Sequence, residues 1–164
     1  MKQALSALDR LRGCRRGSTA LEFAIAGPVM LLLIFAIIED GLMLFAQSVL
    51  DNATRDASRQ ILIGNITTAS AFQAKLCSDV TSFFDCTKLQ FNVQASAVGF
   101  PPSVVATSAT APVSAAVFGP GTGGQYVTVE VVYSRPYMFP WIQSIAGAGW
   151  TLMSTQAFQN EPFS

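Results

Sequence analysis

A single carboxylate stands near the head of an apolar run. Ala20 to Ile38 is a stretch of 19 residues whose one charge is Glu22. Holding an ionised side chain inside a membrane segment costs roughly 2 to 3 kcal/mol even on the lenient insertion scale, so such a residue has a partner or a job. Two thiols, Cys77 and Cys86, lie nine positions apart and suit a disulfide; metal binding and free thiols are the alternatives. A third thiol, Cys14, sits in a basic N-terminal stretch, and the chain contains no His to complete a metal site or act as a general base. Neither a thiol paired with a base nor a Gly-rich phosphate loop between a strand and a helix is found. An enzyme is hard to build from these parts, and no cofactor, metal or small-molecule substrate is expected.

Composition narrows the class. With 51% hydrophobic and 12% charged residues over 164 positions, the chain is too apolar for an ordinary soluble domain, whose charged fraction is about 25%. The formal net charge of zero conceals an asymmetry. Lys2, Arg10, Arg12, Arg15 and Arg16 against Asp9 give residues 1–17 a net +4, and the remainder carries −4. Basic residues flanking an apolar segment keep that flank in the cytoplasm, which predicts a single-pass membrane protein with its N-terminus inside and its C-terminal domain exported. Nucleic-acid binding is not expected of an acidic exported part whose cations are dispersed.

The run is long enough to span a bilayer core and long for a signal-peptide h-region, and Ile37-Ile38-Glu39-Asp40-Gly41 offers no small-x-small cleavage site. A retained span over about residues 20–40 is expected, with Glu39 and Asp40 marking its outer boundary. Beyond it, Leu42, Phe45, Val49, Ala53, Ala57 and Ile61 recur mostly four apart, so one amphipathic helix continues outward. Asp51 with Arg55 and Asp56 with Arg59 have the spacing of helix ion pairs. Gly64-Asn65 is a plausible stop. Pro28, inside the span, is expected to kink it.

These residues resemble the TadE-like family, pseudopilins of the tight adherence (Tad, or Flp) type IV pilus system. The resemblance rests on a basic leader ending in Gly17, the pair Glu22-Phe23 just beyond it, an apolar helix holding Pro28, and Asn52-Ala53-Thr54-Arg55-Asp56-Ala57-Ser58-Arg59. Residues 12–62 carry it well; Gln159-Asn160-Glu161-Pro162-Phe163 echo it loosely, and the middle of the chain hardly at all. The resemblance implies that a prepilin peptidase cuts between Gly17 and Ser18. Glu22, five residues into the shortened chain, can then pair with the new amino terminus of a neighbouring subunit. The opening Ser18-Thr19 departs from the pattern by its polarity.

The expected architecture is α+β and pilin-like, with a leader over 1–17, a long helix over 18–64 and a small exported domain over 65–164. A short helix is predicted over Ala69–Cys77, capped by Thr67 or Thr68, with Phe72 and Leu76 on one face. Alternation of period two in Leu89-Phe91-Val93-Ala95 and in Val127-Val129-Val131-Tyr133 predicts two half-buried strands, and Trp150 to Phe158 a weaker third. Together they form a small antiparallel sheet packed on the outer half of the long helix. Residues 95–124 carry no charge and read as a flexible loop, with a hairpin near Pro112 to Phe118 and a mobile tip at Gly119 to Gly124. The aromatic stretch Tyr137 to Ile142 reads as core first and subunit interface second.

Function follows as a minor pilin-like structural subunit that supports surface adherence. Its expected partners are the inner membrane, the prepilin peptidase, other minor and major pilin-like subunits and the Tad secretion machinery. An unprocessed membrane-anchored periplasmic binding module is the alternative, and a minor pseudopilin of a type II secretion apparatus shares the same physics.

Overall fold

The computed structural model describes residues 18–80, 84–102, 117–147 and 149–162. Two compact units divide the chain, Met1–Gly41 and Leu42–Ser164. One helix, α1 (Ser18–Leu62), is 45 residues long and continues through Pro28. Pro28 removes one backbone donor, but the surrounding Leu, Ile, Met and Ala side chains hold the helical pattern on either side. In the first unit the large apolar residues of α1 are exposed, Leu21, Phe23 and Ile25 each by more than 60%.

In the second unit α1 becomes one-sided. Its buried stripe is Ala46, Leu50, Ala53, Ala57 and Ile61, whereas Leu42 and Phe45 are exposed by 37% and 49%. The predicted stripe is thus correct from Ala53 onward and in part at Val49, which packs half-buried against the core, and wrong at Leu42 and Phe45. A strict four-residue step overruns the 3.6-residue turn by about 40° each time, so the face drifts unless a three-residue step corrects it. The step from Leu50 to Ala53 supplies that correction. Thr54 and Ser58 are buried beside the stripe, and the Thr54 hydroxyl donates back to Leu50 O (2.8 Å). Small side chains there bring the helix backbone close to whatever packs on it. The two predicted ion pairs do not form among the described residues; Asp51 instead accepts from Gln47 Nε2 (3.0 Å).

Gly64 ends α1. Its φ of 76° is the left-handed conformation that glycine adopts without a Cβ penalty, and Asn65 N and Ile66 N both donate to Gln60 O, at 2.9 and 3.2 Å. Helix α2 (Ala69–Val80) follows, with Thr68 Oγ1 accepting from Ala71 N (3.3 Å) as the expected cap. It buries Phe72, Leu76 and Val80. A 3₁₀ turn (Cys86–Lys88) then leads into the sheet.

Strands β1 (Leu89–Ser96), β2 (Tyr126–Pro136) and β3 (Gly149–Gln159) form an antiparallel sheet in that order. Its register sets Phe91 opposite Val131 and Val131 opposite Ser154. One face carries Leu89, Phe91, Val93, Val127, Val129, Val131, Tyr133 and Leu152 into a single core with the α1 stripe and α2. The other face of β2 is not solvated as alternation suggests, since Thr128, Glu130 and Val132 are also buried. Chain leaving β1 crosses over it, and Thr128 Oγ1 donates to Pro101 O (3.2 Å).

Part of the long connection from 95 to 124 joins the core. Val93 exchanges backbone bonds with Val117 O and Gly119 N, both 2.8 Å, in a parallel bridge that covers the edge of β1. Phe118 packs against Phe72 (5.8 Å between centroids). Asn160 Nδ2 donates to Pro120 O (2.8 Å) and Thr122 O (3.2 Å), tying down the glycine-rich stretch. The expected hairpin lies outside the described residues apart from Val117 and Phe118.

The aromatic stretch before β3 departs from the core reading. Helix α3 (Pro140–Ala146) has no buried residue, and of this region only Tyr137 and Trp150 pack on the core. Ile142 and Gln143 are half-buried, the Gln143 Nε2 donating to Tyr137 O (3.1 Å), and the rest of the helix is exposed.

Replacing Leu50 by Ala should lower the unfolding free energy by about 2 to 5 kcal/mol, because it opens a cavity where nothing is exposed. Phe45→Ala should cost far less, which denaturation of the detergent-solubilised chain checks.

Candidate functional site: an apolar helix with one carboxylate at its head

Residues able to act in this protein gather at the first turns of α1 and at the joint between α2 and β1. Gly17 lies outside the described residues, and α1 begins at Ser18. Glu22 and Phe23 are both exposed, Phe23 by 76%. Exposure has a distinct meaning on this helix. In an 18-residue window α1 is long and apolar enough to cross a membrane, and this is true of α1 alone among the described helices. A carboxylate on its surface would face lipid or another protein rather than water.

Beside Glu22 the same helix carries an apolar notch of about 330 Å³, lined by Phe23, Ala24, Gly27, Pro28, Met30 and Leu31 among others. Gly27 lies against one wall: a Cβ added there would touch the Phe23 ring at 3.6 Å, an ordinary contact. Pro28 and Phe23 thus serve as walls of one depression. Further along, Glu39 and Asp40, paired by sequence as boundary markers, differ in surroundings. Glu39 is 7% exposed and Asp40 is exposed.

In the second unit, Cys77 of α2 and Cys86 of the 3₁₀ turn come to disulfide distance, their Cα atoms 5.7 Å apart. The loop they close is held on the sheet. Phe84 stacks edge-on against Tyr133 (4.6 Å), and the Tyr133 hydroxyl oxygen accepts from Asp85 N (3.2 Å). Asp85 caps the 3₁₀ turn, accepting from Thr87 Oγ1 (2.6 Å) and Thr87 N (3.0 Å). Those bonds, the hydroxyl's first, hold the Asp85 carboxyl below its ordinary range.

Among the described residues no three His, Cys, Asp or Glu gather as metal ligands. A polar cleft of about 400 Å³ lies between the end of α1, α2 and the C-terminal segment, lined by Asp56, Arg59, Lys75 and Glu161 among others. Lys75 is already paired with Asp79 (2.8 Å), and the lining mixes both signs of charge without a nucleophile. Sequence reasoning missed this cleft because Glu161 is brought to it only by a backbone bond from Glu161 N to Leu62 O (3.1 Å).

Residues 17–59 match the family described as TadE-like protein. The resemblance read from Gly17, the Glu22-Phe23 pair and the long helix therefore holds over that segment, which opens at Gly17 and ends within the second unit. This family is structural and pilin-like. No curated protein and no solved structure matches the chain.

Replacing Cys77 and Cys86 together by Ser should lower stability under oxidising conditions by about 2.5 to 3 kcal/mol, the chain-entropy value for so short a loop. Equal melting of variant and parent, with and without reductant, would show that the bridge does not form.

Proposed function

We propose, from the TadE-like match over residues 17–59, that this protein is a minor pilin-like structural subunit of a Tad-type pilus and not an enzyme. The observation that carries the reading is the junction itself: the matched segment opens at Gly17, and an apolar helix with one carboxylate in its second turn begins at Ser18.

In this reading residues 1–17 are a cytoplasmic leader, which a prepilin peptidase removes between Gly17 and Ser18. The apolar part of α1, over about 20–40, crosses the inner membrane, and the rest of the chain stands in the periplasm. Removal of the leader takes away a net +4 and leaves an ammonium near the membrane interface. Glu22, one and a half turns into the shortened helix, pairs with the ammonium of a neighbouring subunit, so that a charge costly in lipid is neutralised on assembly. The Phe23, Gly27 and Pro28 notch gives the adjoining helix a place to pack. Other pilin-like subunits and the Tad secretion machinery are the partners, and surface adherence is the outcome.

An uncut membrane anchor with a periplasmic binding domain would have the same insertion and the same fold. Processing separates the two. Intact mass and N-terminal sequencing of protein from its native membrane should give a chain starting at Ser18 when the peptidase is active and at Met1 when it is not. A start at Met1 in both would favour the anchor.

Glu22→Ala should leave membrane insertion intact or improved and reduce co-purification of other pilin-like subunits. Unchanged co-purification would rule out the pairing.

A further inference from the structure

Two hydrogen bonds set β3 alongside α1 within the unit Leu42–Ser164. Gln47 Nε2 donates to Met153 O (2.9 Å), and Glu161 N donates to Leu62 O (3.1 Å). Both elements therefore run in the same direction. From Gln47 to Leu62 the helix advances about 22 Å, and from Met153 to Glu161 the chain advances about 26 Å, so the two are only modestly inclined. Back from Met153 to Gly149 the strand descends a further 13 Å or so, whereas α1 from Gln47 to Leu42 descends about 7 Å. Gly149, its cross-strand partner Pro136 and the connection that carries helix α3 therefore lie at the end of this unit at which the chain enters it, at Leu42.

The surface at that end is apolar. Met138, Trp141 and Ile145 are exposed by 50%, 38% and 81%, and on α1 Leu44 and Phe45 by 70% and 49%. No charged residue occurs from Pro136 to Asn160. Arg135, half-buried at the end of β2, forms no ion pair among the described residues.

We infer that the connection from Tyr137 to Gly147 is a lipid-contacting element, seated in the headgroup and acyl boundary of the bilayer from which α1 emerges. The inference rests on the reading that α1 spans the membrane, and it extends that attachment from one helix to a second surface of the folded domain. Its chemistry fits the boundary. Trp141 presents an amphipathic ring of the kind enriched at membrane interfaces, Met138 and Ile145 supply apolar area, and the Arg135 guanidinium is placed for a lipid phosphate. Proline at the first position of α3 removes one of the donors that a helix start leaves unpaired, and the Ile142 N–H is taken by Phe139 O (3.0 Å). A neighbouring protein subunit would present different surroundings to the same residues.

Tryptophan fluorescence tests this in the full chain. The two tryptophans are Trp141 and the buried Trp150, so Trp141→Phe isolates the contribution of each. The protein is placed in phosphatidylcholine vesicles and washed at alkaline pH, and the retained fraction is compared in vesicles with and without bromine on the acyl chains. Retention tests the span; quenching tests the second contact. Brominated lipid should remove about half or more of the Trp141 emission, and the loss should largely vanish in Trp141→Phe. Adding Ile145→Trp to that variant should restore quenching, since Ile145 is exposed and its replacement leaves the core untouched. Retained protein whose Trp141 is quenched by aqueous acrylamide and not by bromine overturns the inference and leaves the span standing. Trp141 shielded from both quenchers also overturns it, in favour of a protein surface. A chain that washes off the vesicles overturns the span, and this inference with it.

Discussion

One helix must satisfy two surroundings, and the rest of the molecule follows from where it changes over. From Ala20 to Ile38, Glu22 apart, α1 is apolar on every side, the composition of a segment surrounded by hydrocarbon. From Leu42 it buries one stripe only, in which Leu50 and Ile61 alternate with small residues, Ala46, Ala53 and Ala57, with Thr54 and Ser58 beside them. A sheet rich in valine packs on it because both surfaces are shallow. Had the stripe been Leu throughout, the sheet would stand further off, and the rings of Phe72, Phe91 and Phe118 would not close the core as they do.

Much of this was legible in residue types. Length and hydropathy marked α1, and period-two valines marked β1 and β2. Thr68 before an apolar 3–4 spacing marked α2, and Gly64 marked the end of α1. What failed did so for physical reasons. Phe45 looked like core because a four-residue spacing was extended too far, and large aromatics weigh more in a pattern than the Ala46 that is buried. Asp51 looked like an ion-pair partner, yet Gln47 reaches it from the preceding turn while also holding β3. Thr128 and Glu130 have the polarity of a solvated face, and nothing local announces their burial, or that Pro101 meets Thr128. The site is legible differently. Glu22 and Gly17 stand out as motif residues whatever the fold, while the notch beside them is formed by residues from Phe23 to Ile34 that no motif singles out together.

The sheet manages its two edges unequally. Val117 to Gly119 cover β1 with a parallel bridge at its middle, which occupies the backbone N–H and C=O of Val93. On β3, a side chain from α1 occupies Met153 O, and the strand holds neither charge nor proline from Gly149 to Gln159. Protection there comes from the helix alongside rather than from the strand's own composition.

Gln47 and Met153 are 106 positions apart, and that separation orders events in time. A chain made from its N-terminus forms α1 first, yet the stripe on α1 and the inner edge of β2 stay uncovered until β3, the last described strand, has been delivered. Contacts of such long range are the slow ones to form. The domain therefore has no partly built state that hides its valines: nearly the whole chain must be on the far side of the ribosome or the translocon before the final strand can be laid down, and until then an open sheet edge awaits whatever strand reaches it first.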